Sequence, residues 1–211
     1  MDDLVIIDGD GRIKIKVILI GNSAVGKTNL INVASGGSFD ESTKSSLSAS
    51  FVIVKKTVSQ KDYNLYLWDT IGQEKLRSLT KMFFKDSKIV IFVYDITRRD
   101  TFEGLKDWYK EVTDTLGDDI IKGVIGNKSD LFLQEQVKDN EGEKYAKSIN
   151  ARFRATSAKN DPRGFSEFLT ELLEQYDNKY SSKDGQKNKN NNNNGKIQLD
   201  GKKKTKKGGF C

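Results

Sequence analysis

The run Gly21-Asn22-Ser23-Ala24-Val25-Gly26-Lys27-Thr28 sets two glycines around four residues and closes on a cation and a hydroxyl. Glycines at those positions let the backbone curl into a nest with its N–H groups turned inward, and the N-terminus of a following helix adds partial positive charge at the same spot. Such a nest binds phosphate. Lys27 would reach β and γ phosphates as a point charge, and the Thr28 hydroxyl would ligate a Mg2+ ion bridging them. An ordinary strand-to-helix turn has no packing reason to end on Lys and Thr.

Three further stretches carry chemistry. In Trp68-Asp69-Thr70-Ile71-Gly72-Gln73-Glu74, Asp69 is placed to partner the metal through water or from behind its direct ligands. Gly72 can bring a backbone N–H to a γ-phosphate, and Gln73 can orient a water for in-line attack. Asn127-Lys128-Ser129-Asp130 and Thr156-Ser157-Ala158-Lys159 follow later apolar runs.

The elements around these stretches must position them. Ile13 to Ile20 alternates and then turns wholly apolar, as a strand entering a sheet covered on both faces should, and Asn29 to Val33 has helical spacing. Residues 35 to 50 form a Ser/Gly/Thr-rich loop. Phe51 to Val58 and Tyr63 to Trp68 read as strands joined by a short polar turn, hence antiparallel neighbours. Leu76, Leu79, Met82 and Phe83 share a helical face, and Ile89 to Tyr94 is a buried strand.

Asp100 with Glu103 marks a helix start with an acidic cap, followed by a stripe of Phe102, Leu105, Tyr109, Val112 and Leu116 that Gly117 ends. A strand over 120–126, a helix over 140–149, a short strand over 152–156 and a last helix from Asp161, with Pro162 in its first turn, complete the body. Alternating strands and helices predict an α/β three-layer sandwich. Its six-stranded, mostly parallel sheet has one antiparallel strand and helices on both faces, and the four chemical stretches fall beyond the carboxyl ends of its strands.

At 211 residues the chain suits one well-cored domain. The formal net charge is +6, but residues 181–211 hold nine Lys against two Asp, a net of +7, which leaves −1 for residues 1–180. The basicity therefore belongs to the tail, which argues for an electrostatic tether. Nucleic acid is not an expected partner, because the tail lacks interleaved aromatics. One cysteine, Cys211, excludes an intrachain disulfide, and the acidic N-terminus has no long apolar core of a signal or membrane-spanning segment.

Taken in order, the four motifs resemble those of Ras-superfamily small GTPases. Trp68 to Leu79 with Val93-Tyr94-Asp95-Ile96-Thr97 is most similar to the Rab branch. The resemblance covers roughly residues 12 to 176 and implies a P-loop NTPase fold, GTP or GDP as ligand, Mg2+, and slow GTP hydrolysis with Gln73 as the catalytic residue. It implies that Asp130 accepts two hydrogen bonds from guanine, a pair adenine cannot supply. Asn127 would brace the site, Lys128 and Lys159 would lie along the base, and the Ala158 N–H would meet the guanine carbonyl. Ser157 belongs to the same loop. Phe39, twelve residues after Lys27, stands where the family's base-stacking aromatic would be. Ser46 stands where a switch threonine would ligate the metal.

Ser46, Ser48 and Ile71 depart from the family pattern, and they motivate the alternative of a guanine-nucleotide-binding scaffold with little hydrolysis. No residue announces itself in the sequence as a built-in arginine finger. The expected organisation is an N-terminal extension over 1–11, a GTPase domain over 12–180, and a disordered Asn/Lys-rich tail over 181–211. Lys202, Lys203, Lys204, Lys206 and Lys207 precede Cys211 and suit an anionic membrane surface, with one prenyl chain on Cys211 as the second anchor. The resemblance further implies a monomer in vesicle traffic, cytoplasmic and reversibly on the cytosolic face of intracellular membranes. Its partners would be an exchange factor, an activating protein, effectors, and prenyl-transfer and extraction chaperones.

Overall fold

A computed structural model describes residues 5–41, 50–69 and 83–191, with side chains as far as residue 180. Ser46, Ser48, Ile71, Gly72, Gln73, the helical face through Leu76, Leu79 and Met82, the tail lysines and Cys211 lie outside the described residues. The chain divides into two units, Met1–Asp177 and Asn178–Cys211. In chain order, β1 (Ile13–Ile20), α1 (Lys27–Ala34), β2 (Ser50–Val58), β3 (Lys61–Asp69) and β4 (Ile89–Asp95) are followed by α2 (Arg99–Glu103), α3 (Leu105–Leu116) and β5 (Ile121–Asn127). A 3₁₀ turn (Ser129–Gln134), α4 (Asp139–Ser148), β6 (Arg152–Ala155) and α5 (Gly164–Asn191) complete the order.

The six strands form one sheet in the order β2-β3-β1-β4-β5-β6, parallel throughout except for the β2–β3 hairpin. This is the expected P-loop NTPase architecture. β4 and β5 are buried along their whole length, as strands covered on both faces must be. On one face Ile18, Ile20, Phe92 and Tyr94 pack with Leu105, Trp108, Val112 and Ala146. On the other, a Cβ at Gly123 would come within 3 Å of Phe168 and Leu172 of α5, so that glycine is what lets α5 lie close to the sheet.

The helix after β4 departs from expectation. It starts at Arg99, behind Arg98, and Asp100 sits in the first turn without capping it. The turn is tied instead by buried Thr101, whose hydroxyl donates to the Arg98 carbonyl at 2.7 Å and accepts the Asp95 N–H at 3.1 Å. Gly104 separates α2 from α3 while keeping helical dihedrals, and a Cβ there would stand 3.1 Å from the Asn22 side-chain oxygen. Trp108, absent from the sequence stripe, is the buried aromatic of α3, and Tyr109 is half-buried. Gly117 ends the helix at φ 76° as predicted. Asp161 caps the last helix through the Gly164 N–H at 3.0 Å. α5 runs to Asn191, past the composition boundary at 180, because extending a packed helix is far easier than starting one.

Two sets of contacts fix the β2–β3 hairpin. At its turn end, Lys61 and the Tyr63 hydroxyl both donate to buried Asp177 at 2.7 Å, and Lys56 donates to the Ser166 hydroxyl at 2.7 Å and carbonyl at 3.0 Å. Over the outer face, the N-terminal turn places Asp8 to accept from Asn64 at 2.7 Å and Tyr66 at 3.0 Å, while the Lys14 N–H bonds the Ile6 carbonyl at 2.8 Å.

Candidate functional site

β1 delivers the phosphate-type loop at its carboxyl end. Gly21 has φ 149°, and a Cβ there would meet the Val93 carbonyl at 2.1 Å; Gly26 has φ 97°, and a Cβ there would meet the Asn127 amide nitrogen at 2.3 Å. Both glycines are required by backbone conformation and by space. Gly21→Ala is expected to cost at least about 3 kcal/mol of stability, because the obstructing atom is main chain of the central strand. Denaturant midpoints of the two proteins check this, and an unchanged midpoint would show that the loop accommodates a side chain.

Lys27 is buried, and its Nζ donates to the Gly21 and Asn22 carbonyls at 2.9 and 3.0 Å. Burial is the largest cause of a pKa lowered to about 8, with the nearby Asp69 charge opposing it and Arg98 reinforcing it. The ammonium is therefore desolvated and held inside the loop. Thr28 donates to the Asp69 carboxylate at 2.7 Å. The parallel register of β1 and β3, with Leu19 opposite Asp69, brings these two residues together from 41 positions apart. A hydroxyl and a carboxylate in contact at a partly buried strand end are the hard oxygen donors that Mg2+ prefers, so this pair fits the ion.

Asn127 ends β5 and is buried. Its amide donates to the Val25 carbonyl at 2.8 Å, while its side-chain oxygen accepts the Ala158 N–H at 3.3 Å. One side chain thus joins the phosphate-type loop to the loop after β6. Ser157 donates to Asp130 and accepts the N–H groups of Lys159 and Asn160 at 3.2 and 3.0 Å. The Ser129 N–H reaches the Thr156 carbonyl at 3.1 Å. The Lys159 ammonium lies 5.8 Å from the centre of the Phe39 ring. Residues from four separate loops, with Phe39 among them, therefore meet at one edge of the sheet. Ser46, Gly72 and Gln73 have no described position.

Lys128 contacts a buried carboxylate. It has a left-handed backbone and its ammonium lies 2.6 Å from Asp95. Burial pushes the Asp95 carboxyl up, but Lys128 and the Thr97 hydroxyl and N–H outweigh it and hold the group below the usual carboxylate range. Three more residues join the site, none of them given a role there by the sequence alone. Trp108 donates its indole N–H to Asn22 at 2.9 Å, Arg98 donates to the Ser23 carbonyl at 2.7 Å, and Asp95 holds both Lys128 and, at 3.5 Å, the Arg98 guanidinium. The only sequence signal for Trp108 is its place three after Leu105 and four before Val112.

Comparison with known proteins agrees with this geometry. The Ras family model matches residues 16–178. Rab-21 from Homo sapiens and from Bos taurus are each 38% identical over 160 residues, 76% of this chain and 71% and 72% of theirs. Rab-21 from Geodia cydonium is 37% identical over 163 residues, 77% of this chain and 71% of its own. The chain therefore belongs to the Ras family of P-loop GTP hydrolases, on its Rab branch.

Proposed function

We propose that this protein is a Rab-like switch that binds GTP and GDP with Mg2+, hydrolyses GTP slowly and recruits effectors in intracellular membrane traffic. The observation that carries this reading is the Asn127 side chain, which spans from Val25 to Ala158 and so makes the phosphate loop and the base-side loops one rigid unit. In this reading Gly21 to Thr28 cradle the phosphates, with Lys27 neutralising them. Asp130, oriented by Ser157, selects guanine; the Ala158 N–H meets the base carbonyl; Phe39 and Lys159 flank the ring; Lys128 supports the base from its contact with Asp95. Thr28, Asp69 and Ser46 would hold Mg2+, which when bound neutralises charge on the transferring phosphoryl group. Gln73 would orient the attacking water, and Gly72 would read the γ-phosphate.

Partner surfaces follow from the same frame. Phe51 and Ile53 on edge strand β2 are 48% and 42% exposed, and Phe51 lies 5.3 and 5.1 Å from the Tyr66 and Trp68 rings. Such an apolar patch, close in sequence to the loop holding Ser46, suits an effector that senses the nucleotide. Exchange and activating proteins are expected partners, the latter supplying about 10³ to 10⁵ in rate. Among the described residues no helix is long and apolar enough to cross a membrane. We assign reversible membrane contact to the lysine cluster and to prenylation of Cys211, with residues 12–180 as the GTPase domain and 181–211 as the tether.

Single-turnover hydrolysis of bound GTP tests the reading. Gln73→Leu is expected to slow it about 10²-fold, the scale of losing one positioned reactant, with GDP affinity unchanged. A variant as fast as the parent would favour the non-hydrolysing scaffold that Ser46, Ser48 and Ile71 motivate.

A further inference from the structure

Arg98 occupies the junction between β4 and α2, and nothing in the motif set assigns it a task. Its Nη2 donates to the Ser23 carbonyl at 2.7 Å, and its Nε lies 3.5 Å from the Asp95 carboxylate, which is itself buried and fixed by Lys128 and Thr97. The Arg98 N–H is bonded to the Asp95 carbonyl at 3.0 Å, and its carbonyl is held by Thr101. The guanidinium is thus held by the Ser23 carbonyl and the Asp95 carboxylate, the backbone that carries it is fixed by Asp95 and Thr101, and it is aimed at one peptide of the phosphate loop. Its charge also reaches Lys27, whose ammonium it helps to depress after burial.

The orientation of that peptide has a consequence. Among the described residues no peptide bond is cis, and in a planar trans peptide the carbonyl of one residue and the N–H of the next point in opposite directions. With the Ser23 carbonyl turned toward Arg98, the Ala24 N–H faces the other way, away from the guanidinium. Ala24 holds φ 60°, a conformation an alanine takes only where its surroundings impose it. A cation on the carbonyl both fixes the plane and draws electron density from the N–H, making it a stronger donor.

We propose that Arg98 is a built-in positioning residue of the phosphate loop, holding and polarising the Ser23–Ala24 peptide so that the Ala24 N–H meets the phosphate oxygen on which charge grows during hydrolysis. The inference rests on the GTP-hydrolysing reading above. In that reaction a water oxygen bonds to the γ-phosphorus and the bond from that phosphorus to the β–γ bridging oxygen breaks. The bridging oxygen keeps the electron pair, and the water's proton leaves with phosphate or solvent. The donor aimed at the leaving oxygen is Ala24; Arg98 touches no reacting atom and acts through the peptide.

The test uses the full chain, Arg98→Ala and Arg98→Lys, with two readouts: single-turnover GTP hydrolysis, and the 31P resonance of the β-phosphorus in a bound non-hydrolysable GTP analogue. Arg98→Ala is expected to slow hydrolysis about tenfold, the scale of one charge-assisted hydrogen bond, and to move the β-phosphorus resonance while GDP dissociation changes less than about threefold. Arg98→Lys keeps a cation for the Ser23 carbonyl and for Asp95 and is expected to restore most of both. Parent-like rate and resonance in Arg98→Ala would overturn the proposal. So would a rate loss matched by an equal loss of GDP affinity that lysine does not rescue, since that is a loosened loop. Wild-type protein showing no bound-analogue signal would instead sink the nucleotide-binding reading, and this inference with it; wild type that binds without turnover leaves the resonance to decide.

Discussion

Lys27→Ala is expected to weaken binding of both GTP and GDP by about 10³-fold, the cost of removing one partner from a buried charge pair. The side chain is 5% exposed and already desolvated, so its attraction to phosphate is screened little by water. Its two present acceptors, the Gly21 and Asn22 carbonyls, show that the ammonium is held where the loop converges. Folding stability is expected to fall much less than affinity, because the truncation also removes a cation that burial disfavours. Isothermal titration with GDP measures the first quantity and denaturant unfolding the second. Equal losses in both would reduce Lys27 to a structural tie.

The same residue sets a pH dependence. Burial lowers the Lys27 pKa to about 8, and a bound polyphosphate raises it again by favouring the charged form. Below pH 8 the ammonium is present before binding and affinity is flat. Above pH 8 binding must take up a proton, so affinity is expected to fall about tenfold per pH unit until the pKa of the complex is reached. Lys27→Arg, which stays protonated, is expected to flatten the profile between pH 8 and 10.

The second large effect is one of base choice. In Asp130→Asn the carboxylate that would accept from both the guanine ring N–H and its exocyclic amine gains an N–H₂ that opposes the amine. Two charge-assisted bonds at about 1.5–3 kcal/mol each stand to be lost, so guanine affinity is expected to fall by about 10²- to 10⁴-fold. Xanthine carries a carbonyl where guanine has the amine and would accept from the new donor, so XDP is expected to outcompete GDP in the variant. Ser157 keeps its acceptor on the amide oxygen, which preserves the orientation of the side chain. Displacement of a fluorescent nucleotide by GDP and XDP reads the ratio; a retained preference for GDP would remove Asp130 from base recognition.

Much of the site was legible because its residues are constrained locally. Gly21, Gly26, Lys27, Thr28, Asn127 and Asp130 sit at fixed offsets from strand ends, and a strand end is visible in hydrophobic patterning. Asp95, Arg98 and Trp108 were not legible as site residues. Each reaches the phosphate loop across 75 or more positions or through another side chain, and no local spacing encodes that. The start of α2 was misplaced for the same reason. Asp100 and Glu103 make a plausible cap by pattern, but the buried Thr101 hydroxyl, satisfied by Asp95 and Arg98, decides where the helix begins. The N-terminal residues read as a mere extension, yet Asp8 bonds Asn64 and Tyr66, contacts that only the folded sheet supplies.

The anchoring of the β2–β3 hairpin makes it a lever. Its fulcrum is the turn end, where Asp177 and Ser166 grip Lys61, Tyr63 and Lys56. Its tip is the paired Ser50 and Asp69, roughly 20 to 26 Å away at about 3.3 Å per residue, with Asp69 touching Thr28. A displacement of a fraction of an ångström begun at Asp69 is greatest beside Phe51 and dies out toward Lys56. A protein resting on the aromatic tip would feel the contents of the clamp, whereas one grasping the pinned turn would feel nothing.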